Sequence, residues 1–328
     1  MPTIGVIGAG AWGTALAQVL STNGRDVTIW AREPGVADAI GKNHENPHYL
    51  PGLPLSKNLK ATSNLSEVAK KDILLLATPA QHMRSLLENL KKEIPRTKPL
   101  VICAKGIELE SGLLLSQVVE EVIPEASIAV LTGPTFAHEV ARGLPAAVTI
   151  ATHDPKLAKK LQEALGVKHF RPYITDDVIG AQLGGAIKNV IAIACGIAYG
   201  LKLGENARAA LLTRGIAEIA RLAVAMGAHR ETLLGMSGIG DLTLTCSSMQ
   251  SRNFSLGAAL GEGKNIKDIL ATRREVTEGV HTAKAALDLA NRLGVDMPIT
   301  EGVNKCLNEG ASIKDALDDM LKRPFGHE

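Results

Sequence analysis

Aromatic residues make up only 3% of this 328-residue chain, so the stacking platform that single-stranded nucleic acid requires is missing. An excess of either charge is missing too. The 36 Lys and Arg are balanced by 34 Asp and Glu, for a formal net charge of +2, and no strong field draws in nucleic acid or an anionic membrane. Any anionic ligand must be met by local positive groups. Cysteine is scarce: Cys103, Cys195, Cys246 and Cys306 stand far apart, with no Cys-x-x-Cys pair. That spacing argues against structural zinc and a disulfide framework, and it suits a reducing cytosol. No basic n-region or cleavage site is visible at the N-terminus, so no signal peptide is expected. The most apolar stretch, residues 179–201, carries Gln182, Lys188 and Asn189 in its middle, a costly arrangement in lipid. It reads as a buried soluble helix rather than a membrane span, and Lys188 then needs an explanation. The nine histidines show no metal signature: His44 and His48 have helical spacing, but Pro47 lies between them. No metal site is expected.

Hydrophobic residues are plentiful at 45%, enough for substantial cores, and domains of about 100–200 residues predict two of them. In the first half, short apolar runs alternate with helical patterns. Thr3–Ile7, Val27–Trp30, Ile73–Ala77, Leu100–Ala104 and Ile128–Leu131 read as buried parallel strands, with Ala147–Ala151 and Lys168–Phe170 extending the series. Helical spacing marks Trp12–Leu20, Gln81–Leu90 and Leu113–Val122. From about Asp176 the strand signals stop, and Asp176–Leu201, Asn206–Met226, Val280–Leu293 and Ile299–Asn308 all read as helices. The expected fold is α/β: an N-terminal Rossmann-type, doubly wound, mostly parallel sheet in residues 1–187, then an all-helical domain in residues 188–328. Asp176 or Asp177 is the expected cap of the long helix. Residues 43–55, with Pro47, Pro51 and Pro54, read as an ordered loop.

Gly8-Ala9-Gly10-Ala11-Trp12-Gly13 directly follows the first strand and opens the first helix. A Gly-x-Gly-x-x-Gly pattern alone is weak, but in that context it specifies a dinucleotide site. Gly8 permits a tight turn, Gly10 lets backbone approach a pyrophosphate, and Gly13 allows close helix–strand packing. The helix amides and dipole then meet the negative charge. The second strand ends in Trp30-Ala31-Arg32-Glu33, without the ribose-binding acid directly at its end. Arg32 there suits a 2′-phosphate, and Glu33 keeps the unphosphorylated cofactor in play, so NADP(H) and NAD(H) are both expected, with NADP(H) favoured. Lys105 and Gly133-Pro134-Thr135-Phe136-Ala137 follow later strands, where ligands bind in this architecture. An ordinary exposed lysine is an equally good reading of Lys105 from sequence alone.

Lys188 lies in Gly184-Gly185-Ala186-Ile187-Lys188-Asn189. Two glycines in a helix cost roughly 2 kcal/mol relative to alanine, which cleared space for a substrate or close packing would offset. A partly desolvated lysine exchanges protons readily, so Lys188 is the expected proton donor to a carbonyl and acceptor from an alcohol, with Asn189 orienting the substrate. Downstream, Asp241 ends a glycine-rich turn, and Thr245 would share its helix face. Ser251-Arg252-Asn253 offers a hydroxyl, a guanidinium fork and an amide in one run, suited to a phosphate. The plainer alternatives are N-caps at Asp241 and Ser251 and a surface arginine at Arg252.

These segments together resemble the bacterial NAD(P)-dependent glycerol-3-phosphate dehydrogenases. The resemblance takes in residues 8–17, Asn46-Pro47-His48-Tyr49-Leu50-Pro51, Ala104-Lys105-Gly106-Ile107-Glu108, residues 133–137, residues 184–189, Gly238-Ile239-Gly240-Asp241, residues 251–253 and Val276-Thr277-Glu278-Gly279, in order along nearly the whole chain. It implies that Ala11, Trp12, Arg32, Tyr49, Lys105, Ala137, Arg252, Val276 and Glu278 serve the cofactor alongside Gly8, Gly10 and Gly13. It implies substrate contacts from Lys105, Gly133, Thr135, Lys188, Asp241, Ser251, Arg252 and Asn253, to which Thr245 is added from its shared face with Asp241. Lys188 would be the proton acceptor, helped by Asn189 and Asp241. Ala11 and Thr135 stand where a serine is common. The implied reaction reduces dihydroxyacetone phosphate to sn-glycerol 3-phosphate for phospholipid synthesis, in a cytoplasmic homodimer. The competing expectations are a related dehydrogenase of hydroxy acids and a silent nucleotide-sensing module.

Overall fold

The computed structural model describes residues 1–272 and 277–324. The chain forms two compact units, one made of Met1–Lys105 with Leu113–Gln182, the other of Gly106–Gly112 with the chain from Leu183 onward. The expected division at 187/188 and the one after Gln182 fall within the same helix, Val178–Gly200.

The first unit is built on eight strands: β1 (Ile4–Ile7), β2 (Val27–Trp30), β3 (Lys60–Thr62), β4 (Ile73–Leu76), β5 (Pro99–Ile102), β6 (Ser127–Thr132), β7 (Ala146–Ala151) and β8 (Phe170–Thr175). Their order is β3-β2-β1-β4-β5-β6-β7-β8. All neighbours are parallel except β6 and β7. Alternation explains why both faces are covered. Ile4, Val6, Ile73 and Leu75 enter one core with Leu16 and Leu20 of the helix Ala11–Thr22, while Ile7, Leu74 and Leu76 enter the other with Leu87 and Leu90. Strands buried on both faces read as continuous apolar runs.

Strand order reverses at β1, where Ile7 pairs with Trp30 on one side and Leu76 on the other. Such a switch point opens a crevice beyond the strand ends. The strand β3 was not expected: Lys-Ala-Thr is short and partly exposed. Edge strand β8 begins at Phe170, where the expected segment 168–170 ends, and its burial alternates only at its start.

The second unit is helical among its described residues. Val178–Gly200 is the one helix there long and apolar enough to cross a membrane, and it is buried along almost its whole length. Asp177 caps it, its Oδ1 accepting from Gly180 N at 2.8 Å. Further helices run Glu205–Ala225, Arg252–Gly261, Glu278–Leu293, Pro298–Asn308 and Ile313–Leu321. Glu218, 1% exposed, accepts from Ile299 N at 2.6 Å and Thr300 N at 3.2 Å, closing the N-terminus of Pro298–Asn308. Burial pushes its carboxyl pKa up to about 7 against those hydrogen bonds.

Candidate active site

In the first unit the glycine turn leaves β1 with Gly8 at φ +114°, a conformation that side chains rarely adopt. A Cβ on Gly8 would sit 2.9 Å from the Ala77 carbonyl carbon, just beyond β4, and one on Gly13 would strike the Gly8 carbonyl oxygen. The helix Ala11–Thr22 is thereby drawn close to both strand ends. Gly10 is its N-cap and has no side-chain capping bond. A Cβ there would meet nothing within 4 Å, so open space lies before the first free amides of a twelve-residue helix.

Polar groups of that unit await a partner. Trp12 Nε1, Thr78 Oγ1 and Thr132 Oγ1 are buried with no hydrogen-bond partner among the described residues. The first follows β1, the second follows β4 and the third ends β6. Buried orphan donors and acceptors are rare and point to a missing ligand or water. Together with the open helix N-terminus they fit a dinucleotide.

Arg32 and Glu33 form an exposed ion pair at 2.7 Å, with side chains 75% and 49% accessible. The carboxylate raises the guanidinium pKa, and Arg32 in turn holds the Glu33 carboxyl below its usual range. Buried Ala31 leaves no bulk at the end of β2. Half-buried Tyr49 rides on the loop after His44. Lys105 is not an ordinary exposed lysine: it is part-buried, and Nζ donates to Gly133 O at 3.1 Å. Thr135 Oγ1 donates to the same oxygen at 3.1 Å. Ala137 opens the short helix Ala137–Ala141.

In the second unit Lys188 is 6% exposed and Asp241 fully buried. Nζ lies 2.5 Å from Asp241 Oδ1 and 2.7 Å from Thr245 Oγ1. The Thr245 hydroxyl donates to the Asp241 carbonyl at 2.6 Å, which leaves its lone pairs for the ammonium. Asp241 and Thr245 share a face because they are four apart on the helix Asp241–Cys246. The turn before it, Met236–Gly240, packs directly on the lysine's helix: a Cβ on Gly184 would strike Ser237 O. Gly184 is therefore a close-packing residue.

Asn189 Oδ1 accepts from Asn253 Nδ2 at 2.9 Å, and Asn253 Oδ1 accepts from Gly279 N at 3.1 Å. Both asparagines are buried, and this relay ties Asn189 to the start of the helix Glu278–Leu293. Ser251 caps the helix Arg252–Gly261, its Oγ accepting from Phe254 N at 3.2 Å. The capping reading of Ser251 thus holds whatever else the hydroxyl does. Arg252 opens that helix and is exposed, while Glu278 is half-buried at the head of its own. Val276 lies outside the described residues. Among the described residues no cluster of side chains could hold a metal ion.

Two models of one family account for the chain in its two halves. The N-terminal model of the NAD-dependent glycerol-3-phosphate dehydrogenases matches residues 3–158, and the C-terminal model matches residues 177–318. The chain belongs to the NAD-dependent glycerol-3-phosphate dehydrogenase family. Similar curated proteins include the glycerol-3-phosphate dehydrogenases (NAD(P)+) of Parvibaculum lavamentivorans and Rhodospirillum rubrum, each 54% identical. The matches cover 99% of this chain and 98% of the first relative, and 98% of this chain and 93% of the second. The solved glycerol-3-phosphate dehydrogenase of Coxiella burnetii superposes with a TM-score of 0.94 at 38% identity, over 98% of this chain and 99% of that one.

Asn46 heads the motif Asn46–Pro51, but the sequence assigns it no role of its own. Asn46 is fully buried, and its Nδ2 donates to Ala9 O and to Thr14 Oγ1, each at 2.9 Å. A lone asparagine in a proline-rich loop gives little sign of this.

Proposed function

We propose that this chain catalyses the reversible NAD(P)H-dependent reduction of dihydroxyacetone phosphate to sn-glycerol 3-phosphate, with Lys188 as proton donor and acceptor. The observation that carries the reading is the buried Lys188–Asp241–Thr245 cluster, in a chain whose two halves match the two parts of one dehydrogenase family.

The nicotinamide supplies or takes the hydride. The protein must supply the proton and hold the two reactants. Gly8, Gly10, Gly13 and the amides of Ala11 and Trp12 would receive the pyrophosphate, with the Trp12 indole N–H as a further donor. Arg32 and Tyr49 would face the adenosine end, and Ala137, Val276 and Glu278 complete the cofactor set by resemblance. Exchange of the Arg32–Glu33 pair for a 2′-phosphate would make NADPH the better cofactor while NADH remains accepted.

In reduction, negative charge develops on the substrate carbonyl oxygen. A buried ammonium stabilises that charge strongly and passes its proton to the nascent alkoxide. Asp241 and Thr245 each accept an N–H of Lys188 and fix its direction. In reduction Lys188 would direct an N–H at the substrate oxygen. In oxidation the same group receives the hydroxyl proton. Arg252 provides a bidentate fork for the phosphate, Ser251 holds the first turn that carries it, and Asn253 orients Asn189. By resemblance, Lys105, Gly133 and Thr135 would be substrate contacts of the first unit.

By the same resemblance the enzyme acts in the cytoplasm as a homodimer and feeds phospholipid synthesis. The four cysteines, all free thiols, agree with a reducing compartment. Incubation with NADPH and dihydroxyacetone phosphate, followed by NMR of the product, tests the reaction. sn-Glycerol 3-phosphate is the expected product, and unreacted ketone with intact NADPH would refute it. Light scattering on the eluted protein should give twice the chain mass.

A further inference from the structure

The loop after the helix Pro34–Lys42 is fastened to the glycine turn by one side chain. Asn46 Nδ2 donates to Ala9 O and Thr14 Oγ1 at 2.9 Å each. Thr14 Oγ1 itself donates to Ala9 O at 3.3 Å. All three groups are buried, Asn46 and Thr14 completely. On its other side Asn46 Oδ1 accepts from Tyr49 N at 3.3 Å, and its carbonyl accepts from Leu50 N at 2.9 Å. The loop is closed by Leu55 N donating to His44 O at 2.7 Å, and Gln18 of the first helix accepts from Ser56 N at 2.7 Å.

The chemistry of that triangle concerns one peptide plane. The Ala9 carbonyl and the Gly10 N–H belong to the same trans peptide, so they point in opposite directions. Holding the oxygen inward on Asn46 and Thr14 turns the Gly10 amide outward, beside the open space before Gly10. Were this plane to rotate, a carbonyl would face an anionic ligand where an amide is needed. The same asparagine also sets the backbone of Tyr49. We infer that Asn46, with Thr14, is a positioning residue for the dinucleotide, orienting the Ala9–Gly10 peptide and the Tyr49 loop in one step. This rests on the proposed cofactor reading, and it adds residues that touch no ligand themselves.

The test uses Asn46→Leu, neutral and close in volume, and Thr14→Val, which removes only the hydroxyl. Kd for NADPH is read by fluorescence titration, and both KM values and kcat with dihydroxyacetone phosphate by absorbance. For Asn46→Leu the expected result is a rise of about tenfold in Kd and KM for NADPH, with kcat and KM for dihydroxyacetone phosphate held within about twofold. Thr14→Val should raise Kd for NADPH about threefold, and the double variant should fall short of the combined effects, because the two share one network. Should Asn46→Leu fail to fold, Thr14→Val decides. An unchanged Kd for NADPH, or a loss confined to kcat or to thermal stability, would overturn the inference. Wild-type protein that binds NADPH but does not reduce dihydroxyacetone phosphate would sink the proposed reaction and leave the positioning role standing. Wild-type protein that binds no NADPH would sink both.

Discussion

Lys188 Nζ and Asp241 Oδ1 stand 2.5 Å apart with neither side chain more than 7% accessible. A buried ion pair is a weak source of net stability, but removing one member is strongly destabilising because the other is left buried and uncompensated. The pair therefore allows function and stability to be separated. Lys188→Ala should lower kcat by about 10²–10⁴-fold and stability by roughly 3–5 kcal/mol. Lys188→Met combined with Asp241→Leu should recover most of that stability while activity stays lost. Urea midpoints and kcat on the three proteins check this. Recovered turnover in the double variant would contradict the proton role.

Gly184 tests whether the placement of Lys188 matters as much as its presence. An alanine there would press on Ser237 O and shift the lysine's helix away from the turn that leads into Asp241. Overpacking of this kind costs typically 1–3 kcal/mol. We expect Gly184→Ala to fold with a lowered midpoint and with kcat reduced by more than about tenfold, since small misplacements of catalytic groups are expensive. A lowered midpoint with normal kcat would show the contact to be purely structural.

Arg252 is exposed at the first position of its helix, so Arg252→Ala should change stability by only about 0.5 kcal/mol. As a phosphate clamp it should matter far more to the substrate. KM for dihydroxyacetone phosphate is expected to rise about 10–100-fold, matching the loss of charge-assisted hydrogen bonds. Steady-state kinetics with the variant checks it, and an unchanged KM and kcat would remove Arg252 from the site.

Much of this was legible in the sequence, for physical reasons that also mark its limits. Strands β1 and β4 are buried on both faces, so each is written as an unbroken apolar run. By contrast β3 has only the residues Lys-Ala-Thr at the sheet edge, and nothing in its pattern demands a strand. Asp241 and Thr245 were placed together by their spacing. Their pairing with Lys188 crosses 53 and 57 positions of chain and needs the fold. Ser251 was readable as a cap or as a phosphate ligand, and only the bond to Phe254 N shows that the cap is made. Asn46 stood in a motif, but its burial and its bonds to Ala9 and Thr14 did not show, because a buried asparagine and a solvated one look alike in a loop.

Glu218 gives a pH signature apart from the catalytic groups. Its folded pKa of about 7 lies above the ordinary 4.5, so between those values the folded state binds more protons than the unfolded one. Its contribution to stability is fully present below about pH 4.5, lost as pH rises towards 7, and flat above. Relative to Glu218→Gln, the wild-type protein should lose stability across that window, with a slope approaching roughly 1 kcal/mol per pH unit. Urea denaturation of both proteins at pH 5, 6, 7 and 8 measures the difference. A difference that does not change with pH would contradict the raised pKa.

The central claim is tested most directly by following nicotinamide oxidation at 340 nm with dihydroxyacetone phosphate, using unphosphorylated dihydroxyacetone as the control and NADPH and NADH in parallel. The account predicts rapid turnover with the phosphate ester alone, with NADPH the faster cofactor. Comparable rates with and without the phosphate, or no turnover by protein that binds NADPH, would contradict it.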